Sequence, residues 1–479
     1  MTSIKGWEWF SLTVIAALIV FFVQDNIFFW DTVQLAGKHG SWFYEQPLGQ
    51  FILPTEIDSG HPPLFGKYLA IVWTLFGKSL QVSHWAMFPF ILALMIGLLH
   101  WVKKIFNNPL LYMLAFGVLI FDPFLAGQMV LVSPDLLLIT CLVWATIAIT
   151  EDRKWLLVLL NLIMALTSTR GMMIVLALYI ITIFWKVLVK KEKLSLVFLF
   201  REMIPYFLAG GSALIFLIHH YLATGWIGYH EESPWAPGFK KADAKGVLRN
   251  AAVLIWRFLD FGRVILWGGL FYLLFRFNRK GGLGAFYKKI DSLLKFWLLS
   301  FLILTLSLSV TFLLYKLLQH NRYLLPSMLA FNFLFLYLLS EIESETLKRI
   351  GLSIALGAFI WGNTWIYPDK ISQGWDSTLA HLSYYQLRQE MITEVETQNI
   401  SFSEIGTAFP DIGAFKHRDL SGREEGFSKK DLNQQVYILY SNIMNDFTDE
   451  ELDRLENNWL PIITKKKRGI KMILYKKKD

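Results

Sequence analysis

Eleven apolar runs follow one another along the sequence, and they constrain the fold more than any other feature. A helix of about 20 apolar residues crosses a bilayer, and a helix keeps every backbone polar group paired inside lipid. We therefore predict an all-α polytopic membrane protein with about eleven transmembrane helices, the shorter runs being the least certain in length. The runs comprise residues 7–23, 85–101, 110–121, 134–149, 155–167, 172–189, 204–222, 264–275, 293–314, 323–339 and 350–365.

The composition agrees with a membrane protein. Of 479 residues, 54% are hydrophobic and only 18% are charged, against about 25% in soluble proteins. A net charge of +8 would also suit a nucleic-acid partner, but many Lys and Arg residues lie at the ends of apolar runs, where the positive-inside rule places them. We therefore predict contact with membrane lipids and no nucleic acid. The single cysteine, Cys141, lies inside a run and excludes a disulfide framework.

The basic clusters predict an orientation. They all fall on one side of the membrane if the N-terminus is cytoplasmic, and an odd number of spans then places the C-terminus outside. The sequence shows no retention signal and no cysteine-bearing lumenal segment, which favours a bacterial inner membrane. The clusters include Lys103-Lys104, Arg153-Lys154, Lys190-Lys191, Lys288-Lys289 and Lys348-Arg349.

Two domains are expected. Residues 1–366 would form the transmembrane domain, with a first outer loop at 25–83, and residues 367–479 would form a small extracytoplasmic α/β domain. In that second domain, 436–440 and 470–475 resemble strands, and 449–457 a helix opened by Thr448. It shows no catalytic signature, so we expect the chemistry to lie before it. The final Lys476-Lys477-Lys478 is either a solvated end or a contact with anionic lipid.

The first outer loop contains a short helix signature. Pro62-Pro63 precedes an apolar run from Leu64 to Phe76, and Gly77 follows it, a pattern typical of a helix start and stop. This run is too short to cross a bilayer, so we expect it along the membrane surface. Its N-terminal N–H groups would favour an anion such as a phosphate, close to Asp58 and His61.

Two acids are candidates for catalysis. Asp31 follows the first apolar run on the outer side and is either a solvated loop acid or a catalytic group. Asp135 stands at the start of an apolar run, where an acid is costly unless it faces a cavity or a partner. The alternative for Asp135 is helix capping, for which Ser133 is the better candidate.

Several cations are expected on the outer side. Arg170 lies in a short turn between two runs, Arg322 precedes another run, and Arg263 precedes the eighth run. Cations around one cavity suit a phosphate or diphosphate, so we count these three and the adjacent Tyr323 as substrate-binding candidates. Arg257 is expected to pair with Asp260.

Asp58 and His61 are further substrate-binding candidates. His61 has three alternatives: it ligates a metal together with Asp58, donates a hydrogen bond, or caps the surface helix. One histidine and one acid are weak evidence for a metal. A divalent metal is thus a candidate cofactor only, and no cofactor is certain.

An ordered set of short motifs resembles the GT-C superfamily of integral-membrane glycosyltransferases. It is most similar to the branch that holds the dolichyl-phosphate-mannose–protein mannosyltransferases and the aminoarabinose transferase of lipid A. Each motif is weak alone, but the set keeps the family order over about residues 1–340. The motifs are Trp30-Asp31, Gly60-His61-Pro62-Pro63-Leu64, Leu75-Phe76-Gly77-Lys78-Ser79-Leu80, Ser83-His84-Trp85, Asp122-Pro123-Phe124, Ser133-Pro134-Asp135, Thr169-Arg170-Gly171 and Asn321-Arg322-Tyr323-Leu324-Leu325-Pro326.

The resemblance implies a lipid-phosphate-linked sugar donor and catalysis on the outer face. It implies that Asp31 corresponds to the catalytic acid in the first loop of the family and that Asp135 corresponds to the family's second acid. Two positions depart from the family pattern. Thr32 follows Asp31 where members often have Glu, and His61 precedes the Pro-Pro pair where many have Lys. These departures leave the donor sugar and the metal question open.

We therefore predict a glycosyltransferase that moves a sugar from a polyprenyl phosphate to a protein, lipid or glycan acceptor. Asp31 would act as the base that takes the acceptor proton. The alternative is a transporter or flippase of lipid-linked saccharides. That class would more naturally show two related halves, and we find no internal repeat in the sequence.

Overall fold

The computed structural model describes residues 4–47, 49–233, 235–279, 282 and 291–478. Helices follow one another as far as Gly362, and a mixed sheet with two further helices completes the chain. The helices are α1 (Gly6–Val23), α2 (His39–Glu45), α3 (Leu64–Phe76), α4 (Leu80–Trp85), α5 (Phe88–Ile105), α6 (Pro109–Ile120), α7 (Pro123–Met129), α8 (Pro134–Thr150), α9 (Lys154–Thr167), α10 (Thr169–Phe184), α11 (Leu196–Thr224), α12 (Ala244–Leu259), α13 (Arg263–Arg279), α14 (Ser292–Leu314), α15 (Leu325–Ser340), α16 (Glu345–Gly362), α17 (Leu382–Thr397) and α18 (Asp449–Asn458).

The helical membrane architecture is confirmed, but the number of spans is corrected. All eleven predicted runs lie on helices. Within the described residues, six helices are long and apolar enough to cross a membrane, or up to eight if each of two bent pairs counts as one span. The difference from eleven arises because some apolar helices are short. Helix α9 has 14 residues and rises only about 21 Å, against a hydrocarbon core of about 30 Å.

Two helix pairs are sharply bent, and polar or glycine residues lie at the breaks. Helices α6 and α7 meet at 71°, and α12 and α13 at 83°. Asp122 caps α7, and Pro123 opens it, which accounts for the first break. At the second break, Gly262 has φ +84 and lies so close to α16 that a Cβ atom would stand 2.2 Å from the Ala358 carbonyl oxygen. Only glycine fits that position.

The predicted surface helix is present with the predicted bounds. Helix α3 spans Leu64–Phe76, and its C-cap Gly77 has φ 89. Pro63 is the N-cap residue rather than the first helical residue. The helix buries one face, including Leu69 and Trp73, and exposes Phe76. Its position along the membrane surface remains a prediction.

The C-terminal part contains a six-stranded mixed sheet in the order β2-β3-β1-β4-β6-β5. Strands β4 and β6 and helix α18, opened by Thr448, confirm the three predicted elements. The sequence analysis missed α17 and the other four strands. The strands are β1 (Ile405–Thr407), β2 (Gly413–Ala414), β3 (Gly426–Lys429), β4 (Tyr437–Ser441), β5 (Trp459–Lys467) and β6 (Ile470–Lys477). Strand β1 pairs in parallel with β3 and β4, and the other pairings are antiparallel.

The core of the C-terminal part extends into the first outer loop. Phe29 and Trp30 belong to the same buried cluster as the sheet residues. The ring of Phe29 stacks on His381 with centroids 4.7 Å apart. Gly37 approaches the backbone of His417 so closely that a Cβ atom would stand 1.9 Å from its oxygen. The loop that carries Asp31 is therefore packed directly against the C-terminal part.

Candidate active site

One cavity brings together six of the eight predicted site residues. The six lie between the first outer loop, the N-terminal ends of α8 and α10, and the turn before α15. They are Asp31, His61, Asp135, Arg170, Arg322 and Tyr323. The cavity also has apolar walls, contributed by residues such as Phe239, Leu308 and Leu318. A cavity with an ionic cluster and apolar walls suits an amphiphilic ligand with a charged head group.

Arg322 is the centre of the ionic cluster. Its side chain is 4% exposed, and it donates a hydrogen bond to Asp31. Its Nη1 lies 2.9 Å from Asp376 Oδ2, and its Nε lies 3.7 Å from Asp135 Oδ2. One guanidinium thus neutralises parts of three carboxylates, which are held together despite their mutual repulsion.

Arg170 supplies the second guanidinium. It donates to Asp135 Oδ1, and its guanidinium carbon lies 4.0 Å from the centroid of the Tyr323 ring. Ser168 caps this helix by accepting from the Gly171 backbone N–H. A Cβ atom at Gly171 would stand 1.9 Å from the Met164 oxygen, so the tight turn that presents Arg170 requires glycine.

Asp31 lies in a turn that the side chain of Thr32 holds in place through two hydrogen bonds to the backbone. The Thr32 hydroxyl donates to the Phe29 carbonyl oxygen at 2.7 Å and accepts from the Phe29 N–H at 2.8 Å. Trp30 adopts a φ of 53 and packs against Phe409 and His320. Thr32, a departure from the family pattern, therefore shapes the turn.

The electrostatic surroundings keep Asp31 ionised. Burial disfavours its charged form, but the guanidinium of Arg322, with other nearby cations, outweighs that penalty and lowers the pKa of Asp31 below its ordinary value. A carboxylate in this state can accept a proton at neutral pH.

Asp376 is a member of the cluster that the sequence analysis missed. It lies in a short 3-10 turn, Trp375–Ser377, after the predicted domain boundary. Burial raises its pKa to about 6, and Asp31 and Asp135 add to the rise while Arg322 opposes it. Gln128 binds the Asp376 carbonyl oxygen at 2.8 Å and accepts from Ser133, the cap of α8. The turn is thus tied to the helix end that bears Asp135.

His61 faces the cavity as a neutral side chain. Its Nδ1 shares a hydrogen bond of 3.2 Å with the Thr169 hydroxyl. Burial, assisted by Arg170, lowers the pKa of His61 to about 4. It therefore offers a hydrogen-bonding group rather than a positive charge at neutral pH.

Asp58 is placed outside the cavity, which corrects its pairing with His61. Its Oδ1 accepts from the Gly60 N–H at 2.7 Å, and its Oδ2 lies 2.9 Å from His220 Nε2. Oδ1 is therefore engaged within the loop, and Oδ2 ties the loop to α11. Among the described residues, no group of three or more His, Cys, Asp or Glu side chains is arranged to hold a metal ion. His220, near the C-terminal end of α11, thus has a partner 162 residues away in the sequence.

Arg263 is also separated from the cavity. Its two terminal nitrogens each donate to Asp122 at 2.7 Å, and the side chain is fully buried over the Phe124 ring. Arg263 therefore lies in the helix packing, and it is not among the residues that line the cavity. The pairing of Arg257 with Asp260 is observed at 3.0 Å.

The fold and this site define a class: polytopic helical membrane proteins with a buried ionic cluster beside a cavity and a C-terminal mixed sheet. The chain resembles the crystal structure of ArnT from Cupriavidus metallidurans bound to undecaprenyl phosphate. The similarity covers 98% of both chains at a TM-score of 0.53 and 10% sequence identity. The apo structure of the same ArnT covers 97% of both chains at a TM-score of 0.49 and 11% identity.

This similarity confirms the fold that the sequence resemblance implied. At such low identity it establishes the architecture alone. No protein-family model matches the sequence, and no curated protein matches it significantly. The chemistry must therefore be argued from the residues of this chain.

Proposed function

We propose that the protein transfers a sugar from a polyprenyl-phosphate-linked donor to the hydroxyl group of an acceptor. The observation that carries this proposal is the cavity in which the Asp31 carboxylate lies beside two guanidiniums, those of Arg322 and Arg170. An ionised base and fixed cations are the two elements that transfer from a phosphate leaving group requires. The ArnT structure with the matching fold was solved with undecaprenyl phosphate, which supports a ligand of the same class here.

In the proposed reaction, the acceptor oxygen bonds to the anomeric carbon of the donor sugar. The bond from that carbon to the phosphate oxygen breaks, and its electron pair leaves with the polyprenyl phosphate. The hydroxyl proton passes to Asp31, whose lowered pKa keeps it ready to accept at neutral pH. No nucleotide is needed, because the lipid phosphate is itself the leaving group.

The two arginines would stabilise the charge that develops on the leaving phosphate. Guanidinium groups bind phosphate oxygens in pairs and keep their charge when buried. In the present arrangement Arg322 and Arg170 are paired with carboxylates, so donor binding would exchange some of these contacts for phosphate contacts. Asp135, which contacts both arginines, would position them rather than act on the substrate.

Asp376 extends the proposed site into the C-terminal part. It contacts Arg322 from the side of the cluster away from the cavity, since it does not line the cavity. We assign it a positioning role, which revises the expectation that the chemistry depends only on residues 1–366. The rest of the C-terminal part then remains available for acceptor selection.

The proposed reaction takes place on the outer face of a bacterial inner membrane, with the N-terminus cytoplasmic. The side of the N-terminus rests on the one-sided basic clusters. The C-terminal part packs against Phe29, beyond the end of α1 that lies opposite the N-terminus, which supports placing the C-terminus on the outer side. Fusions of alkaline phosphatase and of a fluorescent protein to the C-terminus test it: active phosphatase with a dark fluorescent protein supports the orientation, and the reverse pattern contradicts it.

The function is tested with purified protein in proteoliposomes and a panel of radiolabelled polyprenyl-phosphate sugars. The expected result is release of polyprenyl phosphate and labelling of an acceptor, abolished by Asp31→Asn. Asp25→Asn is the matched control, because Asp25 is an exposed acid of the same outer loop that pairs with Gln81. Donor that crosses the bilayer chemically unchanged would overturn the proposal in favour of a flippase.

A further inference from the structure

A second cavity lies at the base of the C-terminal sheet, where the chain leaves the helical body. It is formed by the turn of the β5–β6 hairpin and by the segment that follows α16. Four cations and one acid are among its walls. The lining residues are Ile366, Tyr367, Pro368, Asp369, Asn442, Lys466, Lys467, Arg468, Gly469, Ile470 and Lys471.

Among the described residues, three of the four cations have no counter-ion, and two of these three have no hydrogen-bond partner for the charged group either. Lys471 is paired with Asp369 at 2.5 Å, and Lys467 donates to Gln386. The charged groups of Lys466 and Arg468 make no hydrogen bond or ion pair with any residue that the structure describes, and both side chains are exposed. The single acid is therefore already engaged, and the cavity keeps an excess of positive charge.

The hairpin turn is held in a fixed position against the helical body. Arg468 and Gly469 both have positive φ, 45 and 81, as a tight hairpin turn requires. Asn442 donates to the Gly469 oxygen and accepts from the Lys471 N–H, each at 3.0 Å. A Cβ atom at Gly469 would stand 2.7 Å from Ile366, so the turn lies directly on the chain that leaves α16.

The surroundings of this cavity have the composition of a membrane interface. Trp361, at the end of α16, is 55% exposed, and Ile371, just beyond the cavity, is 42% exposed. Trp256 donates to the Tyr367 hydroxyl at 3.1 Å, which places two amphipathic rings together beside the cavity. Tryptophan and tyrosine concentrate at the level of lipid head groups, and a basic patch at that level attracts anionic lipid.

We propose that this cavity binds the anionic, phosphate-bearing head group of a membrane lipid and so anchors the C-terminal part to the bilayer. The free Lys466 and Arg468 would contact the phosphate, and Lys471, held by Asp369, would complete the cationic wall. The exposed Trp361 and Ile371 would contact the acyl region of the same lipid. The site is separate from the ionic cluster around Arg322 and does not depend on the proposed glycosyl transfer.

The probe is phosphatidylglycerol, measured by native mass spectrometry on the full-length protein released from detergent micelles, with phosphatidylcholine as the zwitterionic comparison. The test variant is Lys466→Ala/Arg468→Ala. The matched control is Lys429→Ala/Lys476→Ala, which removes the same charge from two exposed lysines of the same sheet. Lys476 lies at the opposite end of β6 from the turn, so the control also tests the terminal lysine run.

We expect wild type and control to retain phosphatidylglycerol in preference to phosphatidylcholine. The test variant should bind phosphatidylglycerol at least about tenfold more weakly, since each cation near a lipid surface contributes about 1 kcal/mol. Retention by the test variant at the wild-type level would overturn the proposal. So would loss in the control variant alone, which would assign the lipid contact to the terminal lysines.

A competition arm separates a lipid site from a site for a free anion. Inorganic phosphate is added to the wild-type complex at constant ionic strength, with chloride as the reference. If the head group is held together with its acyl chains, phosphate at millimolar concentration will not displace the lipid. Full displacement by phosphate, but not by chloride, would show a pocket for a soluble anion and would contradict the lipid proposal.

Discussion

Arg263 and Arg322 are both buried and both paired with aspartate, yet their surroundings differ in one respect. Arg263 makes two parallel hydrogen bonds of 2.7 Å to Asp122, and Asp122 is completed by Asn332 and by the N–H groups of Phe124 and Leu125. The guanidinium of Arg322 contacts three different carboxylates, and Arg322 also lines a cavity.

The difference distinguishes an ion pair buried in the helix packing from one that we propose takes part in the reaction. The pair of Arg263 and Asp122 lies at the break between α6 and α7, is fully buried and does not border the cavity. A cation shared among three acids can give up one contact without becoming unpaired. Buried arginine alone therefore does not mark a site; an excess of partners beside an open cavity does.

The largest expected effect is the loss of stability when the buried ion pair of Arg263 and Asp122 is broken. Asp122→Asn leaves Arg263 as an uncompensated buried charge, which costs about 3–5 kcal/mol. We expect a strongly lowered melting temperature in detergent. The double variant Asp122→Asn/Arg263→Met should recover part of the loss, because it removes the unpaired charge as well. An unchanged melting temperature for the single variant would place Arg263 back among the substrate-binding candidates.

Asp31→Asn should leave the fold intact and abolish most of the chemistry. A positioned base contributes about 10²–10⁴ in rate, so we expect turnover to fall by that range. The melting temperature should change little, since Arg322 keeps Asp376 and Asp135 as partners. Single-turnover assays with saturating donor and acceptor measure the rate. A wild-type rate would remove Asp31 from the proposed mechanism.

Arg322→Lys should weaken donor binding and also lower turnover at saturation, because Arg322 is proposed to contact the phosphate both in the bound donor and as its charge develops. Lysine keeps the charge but loses the planar fork that contacts several oxygens at once. The expected loss is roughly 10–100-fold in donor affinity, the value of a hydrogen bond to a charged group. Equilibrium binding of a non-transferable polyprenyl phosphate measures it. Arg263→Lys is the comparison, which should affect stability and leave donor affinity in the folded fraction unchanged.

Asp376→Asn should have the smallest effect, and its signature is a pH dependence. The pKa of Asp376 is raised in the folded protein from 3.8 to about 6, so the folded state binds this proton more tightly than the unfolded state. The stabilisation is complete below about pH 4 and is lost as pH rises towards 6. Asparagine cannot titrate, so stability relative to wild type should change only in that interval.

The size of the Asp376 effect has an upper limit. Each unit of pKa is worth about 1.4 kcal/mol, which keeps the pH-dependent difference below about 3 kcal/mol. Melting temperatures of both proteins between pH 4 and pH 7 measure it. Parallel curves would mean that the pKa of Asp376 is not raised and that Asp376 is not buried beside Asp31 and Asp135.

Local signals predicted local structure well. Helix α3 could be bounded from its sequence because Pro63 and Gly77 mark its two ends, and α18 because Thr448 and Glu451 form a capping box. Strands β1 and β2 have three and two residues, too few to show an alternating pattern. They exist because the neighbouring strands supply hydrogen bonds, which no local pattern encodes.

The sequence pointed to those residues of the candidate site that lie within a recognisable short motif. Asp31, Asp135, Arg170 and Arg322 each belong to a short motif in the membrane part, and the fold brings them to one cavity. Asp376 belongs to no motif, and its importance comes only from its contact with Arg322. Arg263 shows the opposite failure: its position resembled a site residue, and only the pairing with Asp122 reveals its structural role.

The placement of Asp376 also bears on how the protein is made. Asp376 follows Asp31 by 345 positions in the sequence, so it leaves the ribosome roughly 20 to 70 seconds later at usual translation rates. During that interval Phe29 and Trp30 have no C-terminal core to bury them. The nascent membrane protein therefore presents an aromatic loop and an incomplete ionic cluster. Chains that terminate early would be inserted without the contact that completes the cluster around Arg322.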